Sequence, residues 1–592
     1  MSISASTRAR AFGITTEYSD LRSGQVLYLP QHLAIIAQAT TEGTPSTTKF
    51  TATTAAQVGT AAGYRSPAYL IARELFPTNG DGVGSIEVDF LLLDDAGGAA
   101  AAAGSITPSG TATAAGTYYA RIGGYLSEAF TIAAGAIDVS AVCHDLGQAI
   151  QDVLHLPAVA TWTYGALSET HAGNTGTGTL TSMTAAATTI PGAWVLTCTS
   201  KVTNGGVFSL TDPDGTEVAD DLTITPGPGG TCVFSESGLG GTITDGSTDF
   251  EVDDAFTITV PAATVVLTAP WKGESGNDIV VEIVDATGQA PALGVTFAIV
   301  QPTGGATDPS VVAALAQLGP STWYTMGLCS LNLTNSTAWN LIQTWGEGRW
   351  GELVHKPCVF FCGNTAAAKA DAVVTTETRT TDRIASQLVA PGSPNLPCVV
   401  AARQLARIAV MANNTPSHDY GSLQATGLLP GTDAQQWDHP TRDAALKDGC
   451  STIEVRDGVV CISDVVTMYA PSGDTDPCYR YVCDIVKLQQ CIYNTAAIFD
   501  TTEWDGAALI PDSQATTEPT ARKPSAAKAA IAQMLDALGG KAIISDPAWA
   551  KTTITAEISS TNSKRLDTTV TFPLSGNANI INHTQKFGFY LG

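Results

Sequence analysis

Residues 450–500 read CSTIEVRDGVVCISDVVTMYAPSGDTDPCYRYVCDIVKLQQCIYNTAAIFD. Two alternating apolar runs, 451–455 and 459–468, flank Arg456-Asp457-Gly458, and Asp-Gly between such runs is a strong hairpin signal. After a turn-rich segment, apolar residues recur at mostly three- and four-residue spacing and predict one face of a long helix: Val482, Ile485, Val486, Leu488, Ile492 and Ala496. The stretch therefore predicts a strand hairpin packed on a long helix.

This stretch resembles the C-terminal part of contractile-tail sheath proteins of bacteriophages, particularly the Mu-like branch. The resemblance extends to the lead-in HPTRDAALKDG at 439–449, to GLLPG at 427–431 and to the closing strands, so it covers roughly the last three hundred residues. Several motifs occur in the expected order. Any α/β domain with a hairpin and a helix remains the alternative interpretation.

Length, composition and charge limit the other classes of protein. A chain of 592 residues is too long for one core, and its 57 glycines with only 14% charged residues favour β-rich domains of small side chains. The net charge of −26 argues against nucleic acid as the main partner. No apolar run reaches the roughly 20 residues that cross a bilayer, and the start MSISASTRAR lacks the apolar region of a signal peptide. We therefore expect a soluble chain made in a cytoplasm, with no direct membrane insertion.

The cysteine and loop motifs do not indicate a metal or nucleotide site. The twelve cysteines show no CxxC pair and no zinc-finger spacing, so we interpret them as reduced, structural thiols. Asp212-Pro213-Asp214-Gly215 lacks the alternating acidic ligands of a calcium loop and is typical of a turn. The glycine pairs at Gly123 and Gly240 precede no phosphate-binding helix. The sequence predicts no cofactor and no metal.

Composition shifts divide the chain into domains. The Gly-, Ala- and Thr-rich segment after residue 95 indicates an insertion, and short alternating strands within it indicate a second, nested one. The segments 204–220 and 243–260 together resemble a β-module of phage structural proteins, and KGESGNDI at 272–279 resembles the Mu-like sheath insertion. The predicted division is an N-terminal arm (1–24), the first part of the sheath core (25–95), an inserted α+β domain (96–171 and 262–285), a nested β-sandwich-like domain (172–261), an α/β sheath domain (286–445), a C-terminal α+β sheath domain (446–574) and a C-terminal arm (575–592).

From residue 291 onward, strands and helices alternate, which predicts an α/β core. Strands are expected at 295–300, 323–331 and 354–362, and helices at 310–318, 337–345 and 401–411. The helix at 337–345 takes Asn335 or Ser336 as its cap and ends at Gly346 and Gly348. At the C-terminus we expect a helix at 525–538 and strands at 542–545, 552–558 and 566–574. The sheath resemblance implies a subtilisin-like fold for the α/β core.

A subtilisin-like fold raises the question of a catalytic triad. The best match to the serine turn, Thr181-Ser182-Met183-Thr184, lies in the nested domain, and no histidine stands in a general-base motif. We therefore predict that the protein is not an enzyme. A subtilisin-like hydrolase, active or degenerate, remains one alternative, and an extracellular adhesin or surface-layer protein, suggested by the Thr- and Gly-rich module, is another.

The resemblance implies a structural role in the virion. A sheath subunit polymerises with copies of itself as stacked hexameric rings in a helical tube, and its partners are the tail tube protein and the baseplate and tail terminator proteins. The sheath is assembled in the host cytoplasm and contracts to drive the tube through the host envelope.

Two groups of residues are predicted to make the contacts between proteins. Strand-forming terminal segments on a soluble protein suggest a designated partner edge, so we expect inter-subunit strand exchange by Ile14, Thr15, Thr16, Glu17, Ile580, Ile581, Phe587, Phe589 and Tyr590. Residues 521–592 carry eight basic and four acidic side chains, against the acidic remainder of the chain. Three of the basic residues gather where the helix dipole disfavours cations, which indicates a tube-facing surface: Arg522, Lys523 and Lys528.

Overall fold

The fold is described from a computed structural model of the chain, for residues 26–43, 48–291, 294–351, 353–471 and 478–578. These residues form a mixed α/β structure with several separate sheets, as the sequence predicted. The strands are β1 His32–Gln38, β2 Phe50–Ala52, β3 Glu87–Leu93, β4 Ala103–Ala112, β5 Gly116–Ile122, β6 Tyr125–Leu126, β7 Phe130–Ile132, β8 Gly135–Ala136, β9 Val159–Tyr164, β10 Ser168–Thr170, β11 Thr179–Ala185, β12 Gly192–Val202, β13 Gly205–Thr211, β14 Glu217–Thr223, β15 Thr231–Glu236, β16 Leu239–Thr244, β17 Ala255–Val260, β18 Ala262–Thr268, β19 Val281–Asp285, β20 Val295–Thr303, β21 Met326–Cys329, β22 Val359–Asn364, β23 Ala385–Val389, β24 Cys450–Arg456, β25 Val459–Asp464, β26 Thr555–Ile558 and β27 Leu566–Thr569.

The helices have their bounds at α1 Ala55–Ala62, α2 Pro67–Leu75, α3 Val139–Gln151, α4 Val312–Gln317, α5 Ser336–Trp350, α6 Lys369–Val373, α7 Pro397–Asn414, α8 His439–Lys447, α9 Val482–Phe499, α10 Pro524–Gly540 and α11 Pro547–Thr552. Within the described residues, none of them is both long and apolar enough to cross a membrane.

The main sheet has eight strands in the order β2-β3-β1-β21-β22-β23-β24-β25. Neighbouring strands from β3 to β24 are parallel, and β2 and β25 close the two edges antiparallel. Parallel strands are buried on both faces, and β1 shows this directly: Leu33 and Ile35 pack on one face, among residues of α2 and α7. Ala34 and Ile36 pack on the other face, among residues of α4 and α5.

The hairpin predicted from the sequence closes one edge of this sheet and is confirmed. Strands β24 and β25 meet at Asp457 and Gly458, whose φ angles of 50° and 78° suit a two-residue turn. The alternation predicted that this second strand would continue to residue 468, but β25 ends at Asp464. The chain leaves the edge there, because Val466 bridges to Tyr481 and the Met468 N–H donates to the Ala385 carbonyl.

One strand of the predicted α/β core lies elsewhere. The strand expected at 295–300 forms as β20, but it pairs antiparallel with β4 at the edge of the sheet β20-β4-β18-β9. Its side chains alternate between exposed and more buried positions, and Pro302 cannot donate to a ladder. Both features are typical of an antiparallel edge strand and not of a central parallel one.

Two predicted helix ends are also wrong, because a glycine that resembled a stop signal is a packing position. Helix α5 is capped by Asn335, as predicted, but continues through Gly346 to Trp350. A Cβ on Gly346 would lie 2.6 Å from Cγ2 of Ile384. Helix α10 likewise runs past Gly539, where a Cβ would lie 2.7 Å from Cγ of Pro547. Each glycine permits close contact with a neighbouring element.

The nested β-module consists of the sheets β10-β17-β12-β13-β14 and β11-β16-β15. Because β10 pairs with β17, we count residues 165–261 as the module, which adds the last residues of the segment predicted for the inserted domain. They share a cluster of buried side chains of their own, which includes Trp194, Phe208 and Phe250. The module leaves and rejoins the inserted domain at neighbouring positions, since Tyr164 at the end of β9 pairs with Ala262 at the start of β18.

Helix α9 joins the main core to a smaller C-terminal cluster. Its first turns pack into the main cluster through Val482, Ile485 and Val486, and Cys491 packs with residues of α10. The strand predicted at 542–545 does not form; Ala542 has a φ of 54° after α10, and Ile544 makes only an isolated bridge to Leu574. Strands β26 and β27 form a separate two-stranded sheet.

Candidate functional site

The predicted apolar face of α9 is only partly correct. Leu488, Ile492 and Ala496 are half-buried, whereas Lys487, Gln489, Gln490 and Asn494 are buried. A buried polar side chain is costly unless it finds a partner. The partners of these four side chains show what the helix holds.

Two of these side chains hold the chain where it enters the described structure from its N-terminus. Asn494 Oδ1 accepts a hydrogen bond from the Leu27 N–H at 3.0 Å, and Asn494 Nδ2 donates to the Leu27 carbonyl at 2.9 Å. Gln490 repeats this pattern on Leu29, with Oε1 accepting from the N–H at 2.9 Å and Nε2 donating to the carbonyl at 3.5 Å. The two amides therefore pair with alternate residues of an extended segment as a neighbouring strand would.

A third side chain holds the chain where it leaves towards its C-terminus. The Lys487 ammonium is fully buried and donates to Asp484 Oδ1 at 2.9 Å, to the Ser575 carbonyl and to Asn577 Oδ1. Asn577 in turn donates to the Ser417 carbonyl at 3.0 Å. An ammonium with three oxygen partners satisfies all three of its donors, which offsets the cost of burying it.

The fourth side chain fixes α9 to the main sheet. Gln489 Nε2 donates to the Thr325 carbonyl at 3.1 Å and to the Pro357 carbonyl at 2.9 Å. These carbonyls precede β21 and β22. The helix that binds both ends of the described chain is thus tied to the central strands.

The residues predicted to exchange strands between subunits lie outside the described residues: Ile14, Thr15, Thr16, Glu17, Ile580, Ile581, Phe587, Phe589 and Tyr590. The nearest described residues are Val26 and Ala578.

The three basic residues predicted to face the tube do lie at the start of α10, but they differ in their contacts. Arg522 donates to the Pro519 carbonyl at 2.9 Å and lies 3.5 Å from a carboxylate oxygen of Glu503, so it holds its own loop together. Lys523 is the N-cap residue and lies 3.5 Å from the Asp512 carbonyl. Lys528 is exposed on the first turns of the helix. Lys523 and Lys528 are therefore better placed than Arg522 to meet another protein.

A polar cleft of about 760 Å³ lies beside the C-terminal exit, and Asn577 and Ala578 form part of its wall. Burial, together with the nearby Asp419 carboxylate, raises the pKa of Asp464 in this cleft to about 7. This carboxyl group therefore takes up its proton at a much higher pH than an ordinary aspartate does.

One group of side chains has the donor atoms of a metal site: His32, Glu87 and Asp89. Asp89 already accepts hydrogen bonds from Lys49 Nζ at 2.7 Å, Thr51 Oγ1 at 2.6 Å and Tyr324 Oη at 2.8 Å. Burial raises the pKa of the Asp89 carboxyl, but contact with His32, at 3.3 Å, and with these three donors outweighs burial and holds the pKa well below its usual range. Because the Lys49 ammonium already binds the buried Asp89 carboxylate, we interpret the group as a partly buried ion-pair network.

The serine turn considered as a nucleophile lies in a β-bulge. Ser182 has a φ of 55° and sits where the register of β11 against β16 shifts. Among the described residues, no histidine hydrogen-bonds to its hydroxyl. Asp212 forms the predicted turn, in which its Oδ1 accepts from the N–H groups of Asp214 at 3.0 Å and Thr216 at 2.8 Å.

No protein-family model matches the chain. Over 239 residues the chain is 28% identical to the Mu-like prophage FluMu tail sheath protein of Haemophilus influenzae, a match that covers 40% of this chain and 48% of that protein. The chain is similar to a phage tail sheath protein. The resemblance to contractile-tail sheath proteins is confirmed, and the chain spans about half the length of the curated relative it matches.

Two solved structures of sheath tail proteins overlap with nearly all of the chain. The one from Listeria innocua has 10% identity and a TM-score of 0.41, and the match covers 93% of this chain and 94% of that one. The one from Desulfitobacterium hafniense has 9% identity and a TM-score of 0.39, with 95% and 100% coverage. At such low scores the overlaps add nothing to the sequence match.

Sequence reasoning missed Lys487, Gln490 and Asn494. A signal was present, because the run KLQQCIYN at 487–494 places polar residues in the middle of an apolar helix. Their spacing of three and four residues puts them on one face.

Proposed function

We propose that this chain is the structural subunit of a contractile tail sheath. It polymerises with its own copies as stacked hexameric rings around a tail tube, and contraction of the assembly drives the tube through the host envelope. Its partners are further copies, the tube protein, and baseplate and tail terminator proteins, and its place is the tail of the virion after assembly in the host cytoplasm. The observation that carries this proposal is the 28% identity to a tail sheath protein over 239 residues.

The geometry of the chain ends supports the proposal. Residues 26–29 and 575–577 are both held on α9 by specific hydrogen bonds, so each terminal segment starts from a fixed point on the body. Fully extended, residues 1–25 would span about 90 Å and residues 579–592 about 50 Å. Either segment is long enough to reach a neighbouring subunit and add a strand to one of its sheets.

Charge supports the same arrangement. Residues 89–270, which include most of the insertion, hold 19 acidic and 2 basic side chains, a net charge of −17 that suits a solvated outer face. Residues 521–592 hold a net charge of +4. We place the insertion on the outside of the sheath and the start of α10 towards the tube. The subtilisin-like fold of the core and the absence of enzymatic activity belong to the same proposal.

The test is deletion of residues 1–20. The shortened protein should keep the wild-type circular dichroism spectrum and melting temperature and should remain monomeric in sedimentation velocity where the full chain assembles. The matched control replaces residues 1–20 with a Gly/Ser segment of equal length, which keeps the reach but not the strand-forming side chains. Normal assembly of the deletion variant would refute strand exchange by the N-terminal arm.

A further inference from the structure

Lys487, Gln490 and Asn494 form a stripe along one face of α9, and we refer to these three residues as the arm clamp. We propose that the arm clamp binds the roots of both terminal arms, so that tension on one arm passes to the other through α9 without crossing the rest of the fold. The source of the tension is contraction of the sheath, and this part of the inference rests on the proposed function. The binding itself does not depend on that function.

The N-terminal root is bound through its backbone and through two apolar side chains. Leu27 and Tyr28 are 52% and 38% exposed, whereas Leu29 is buried and Val26 packs against the C-terminal cluster. The four amide contacts of Gln490 and Asn494 run across the extended chain, as in a sheet. A pull along the segment therefore loads the contacts together rather than one after another. A clamp of this kind resists shear better than a single contact of equal strength.

The C-terminal root is bound through charge. The Lys487 ammonium donates to the Ser575 carbonyl and to Asn577 Oδ1, and Asp484 balances its charge. Hydrogen bonds from a buried ammonium are stronger than those between neutral groups. Removing Ser575 and Asn577 from their positions would leave a buried cation with a single partner, which opposes release.

The two roots lie close together on a rigid element. Seven residues separate Lys487 from Asn494, which corresponds to about 10 Å along a helix axis. Gln489 fixes this part of the helix to the carbonyls of Thr325 and Pro357, which precede the two central strands of the main sheet. In a sheath whose subunits rotate while their arms remain paired, this short helical segment connects one neighbour to the next.

The experiment measures hydrogen exchange of the full-length monomer by mass spectrometry. Asn494→Leu removes both contacts to Leu27, and exchange in peptides covering residues 26–30 should rise about tenfold or more, the effect of losing roughly 1.5 kcal/mol. Asn494→Asp keeps the acceptor for the Leu27 N–H but turns a second oxygen towards the Leu27 carbonyl, so exchange should rise at least as much as in Asn494→Leu. Lys487→Met, which keeps the apolar stem, should raise exchange in peptides covering 574–578 and leave residues 26–30 unchanged.

Thr495→Ala is the matched control. Thr495 lies next to Asn494 on α9, but its hydroxyl donates to the Cys491 carbonyl of its own helix, so both roots should exchange as in the wild type. Unchanged exchange at residues 26–30 in Asn494→Leu, or loosening of the roots by Thr495→Ala to the same extent, would overturn the clamp.

The mechanical part is tested on assembled tubes. Tubes of Asn494→Leu should break into shorter pieces under a shear force that leaves wild-type and Thr495→Ala tubes intact. Variants with loosened roots but tubes of wild-type strength would overturn the transmission of tension through α9. If the wild-type chain forms no tubes, the proposed function fails, and the exchange measurement alone decides whether the clamp exists.

Discussion

The nested β-module should be removable without damage to the rest of the protein. Tyr164 and Ala262 are paired residues of the antiparallel strands β9 and β18, and the Gly165 N–H donates to the Pro261 carbonyl at 2.9 Å. Replacing residues 165–261 with Asn-Gly should therefore connect β9 to β18 through a two-residue hairpin turn.

The expected cost follows from the contacts between the module and its host. The Trp162 backbone N–H loses its bond to the Ala187 carbonyl at 3.0 Å, and Gln148 Nε2 loses its bond to Asp214 Oδ2 at 3.1 Å. The Tyr164 hydroxyl loses its bond to the Thr189 carbonyl. The buried side chains of the module's apolar cluster all belong to the module, so its removal exposes little apolar surface of the inserted domain. At about 1 kcal/mol for each hydrogen bond, the free energy of unfolding of the remainder should fall by no more than about 3 kcal/mol.

Differential scanning calorimetry provides the assay. The full chain should show a transition that is absent from the deletion variant, and the isolated module, residues 165–261, should show that transition by itself. The deletion variant should still assemble, into tubes of smaller outer diameter. An insoluble deletion variant, or a soluble one that forms no tubes, would refute the assignment of the module as a dispensable decoration.

The remaining predictions concern single positions. Burial raises the pKa of Asp464 from 3.8 to about 7, so between these pH values the folded protein keeps a proton that the unfolded chain releases. The contribution of this proton to the free energy of unfolding is fully present below about pH 4 and is lost as the pH rises through about 7. Urea unfolding of Asp464→Asn and the wild type should therefore diverge between pH 4 and pH 7, by at most about 4 kcal/mol, and a pH-independent difference would contradict the assignment. The double variant Lys523→Glu/Lys528→Glu should weaken co-sedimentation of the sheath with the tube at low salt and keep the melting temperature of the wild type. Arg522→Glu should lower the melting temperature, because it loses contacts within its loop. Tube binding by the double variant equal to that of the wild type would exclude this surface. Gly346→Ala should destabilise the fold by about 1–3 kcal/mol through overpacking, although alanine is the better helix former, and a rise in the urea midpoint would show that the contact can relax.

Local patterns in the sequence predicted much of the fold. Asp457-Gly458 between alternating runs gives the observed hairpin, and Asn335 caps α5 as expected. Helix α1 was missed although Thr54 and Gln57 form a capping box, which is a readable signal. These features depend on neighbours in the chain, which sequence reasoning can evaluate.

Long-range packing decided what could not be predicted. Gly346 resembles a helix stop, but its role is set by Ile384 on another element. Lys487 and Asn494 interrupt an apolar pattern, and their partners are Ser575, Asn577 and Leu27, far away in the sequence. The hydrophobic pattern of α9 carries no information about residues so distant in the sequence. The face of the helix that carries the candidate site could therefore be identified only in the three-dimensional structure.

Electron microscopy of the purified full-length protein tests the central claim most directly. At high protein concentration and low salt, a sheath subunit should form hollow, striated tubes, and their helical reconstruction should show six subunits in each ring with continuous density leaving α9 towards neighbouring subunits. A protein that remains monomeric under all of these conditions, and also in the presence of its tube protein, would contradict the account.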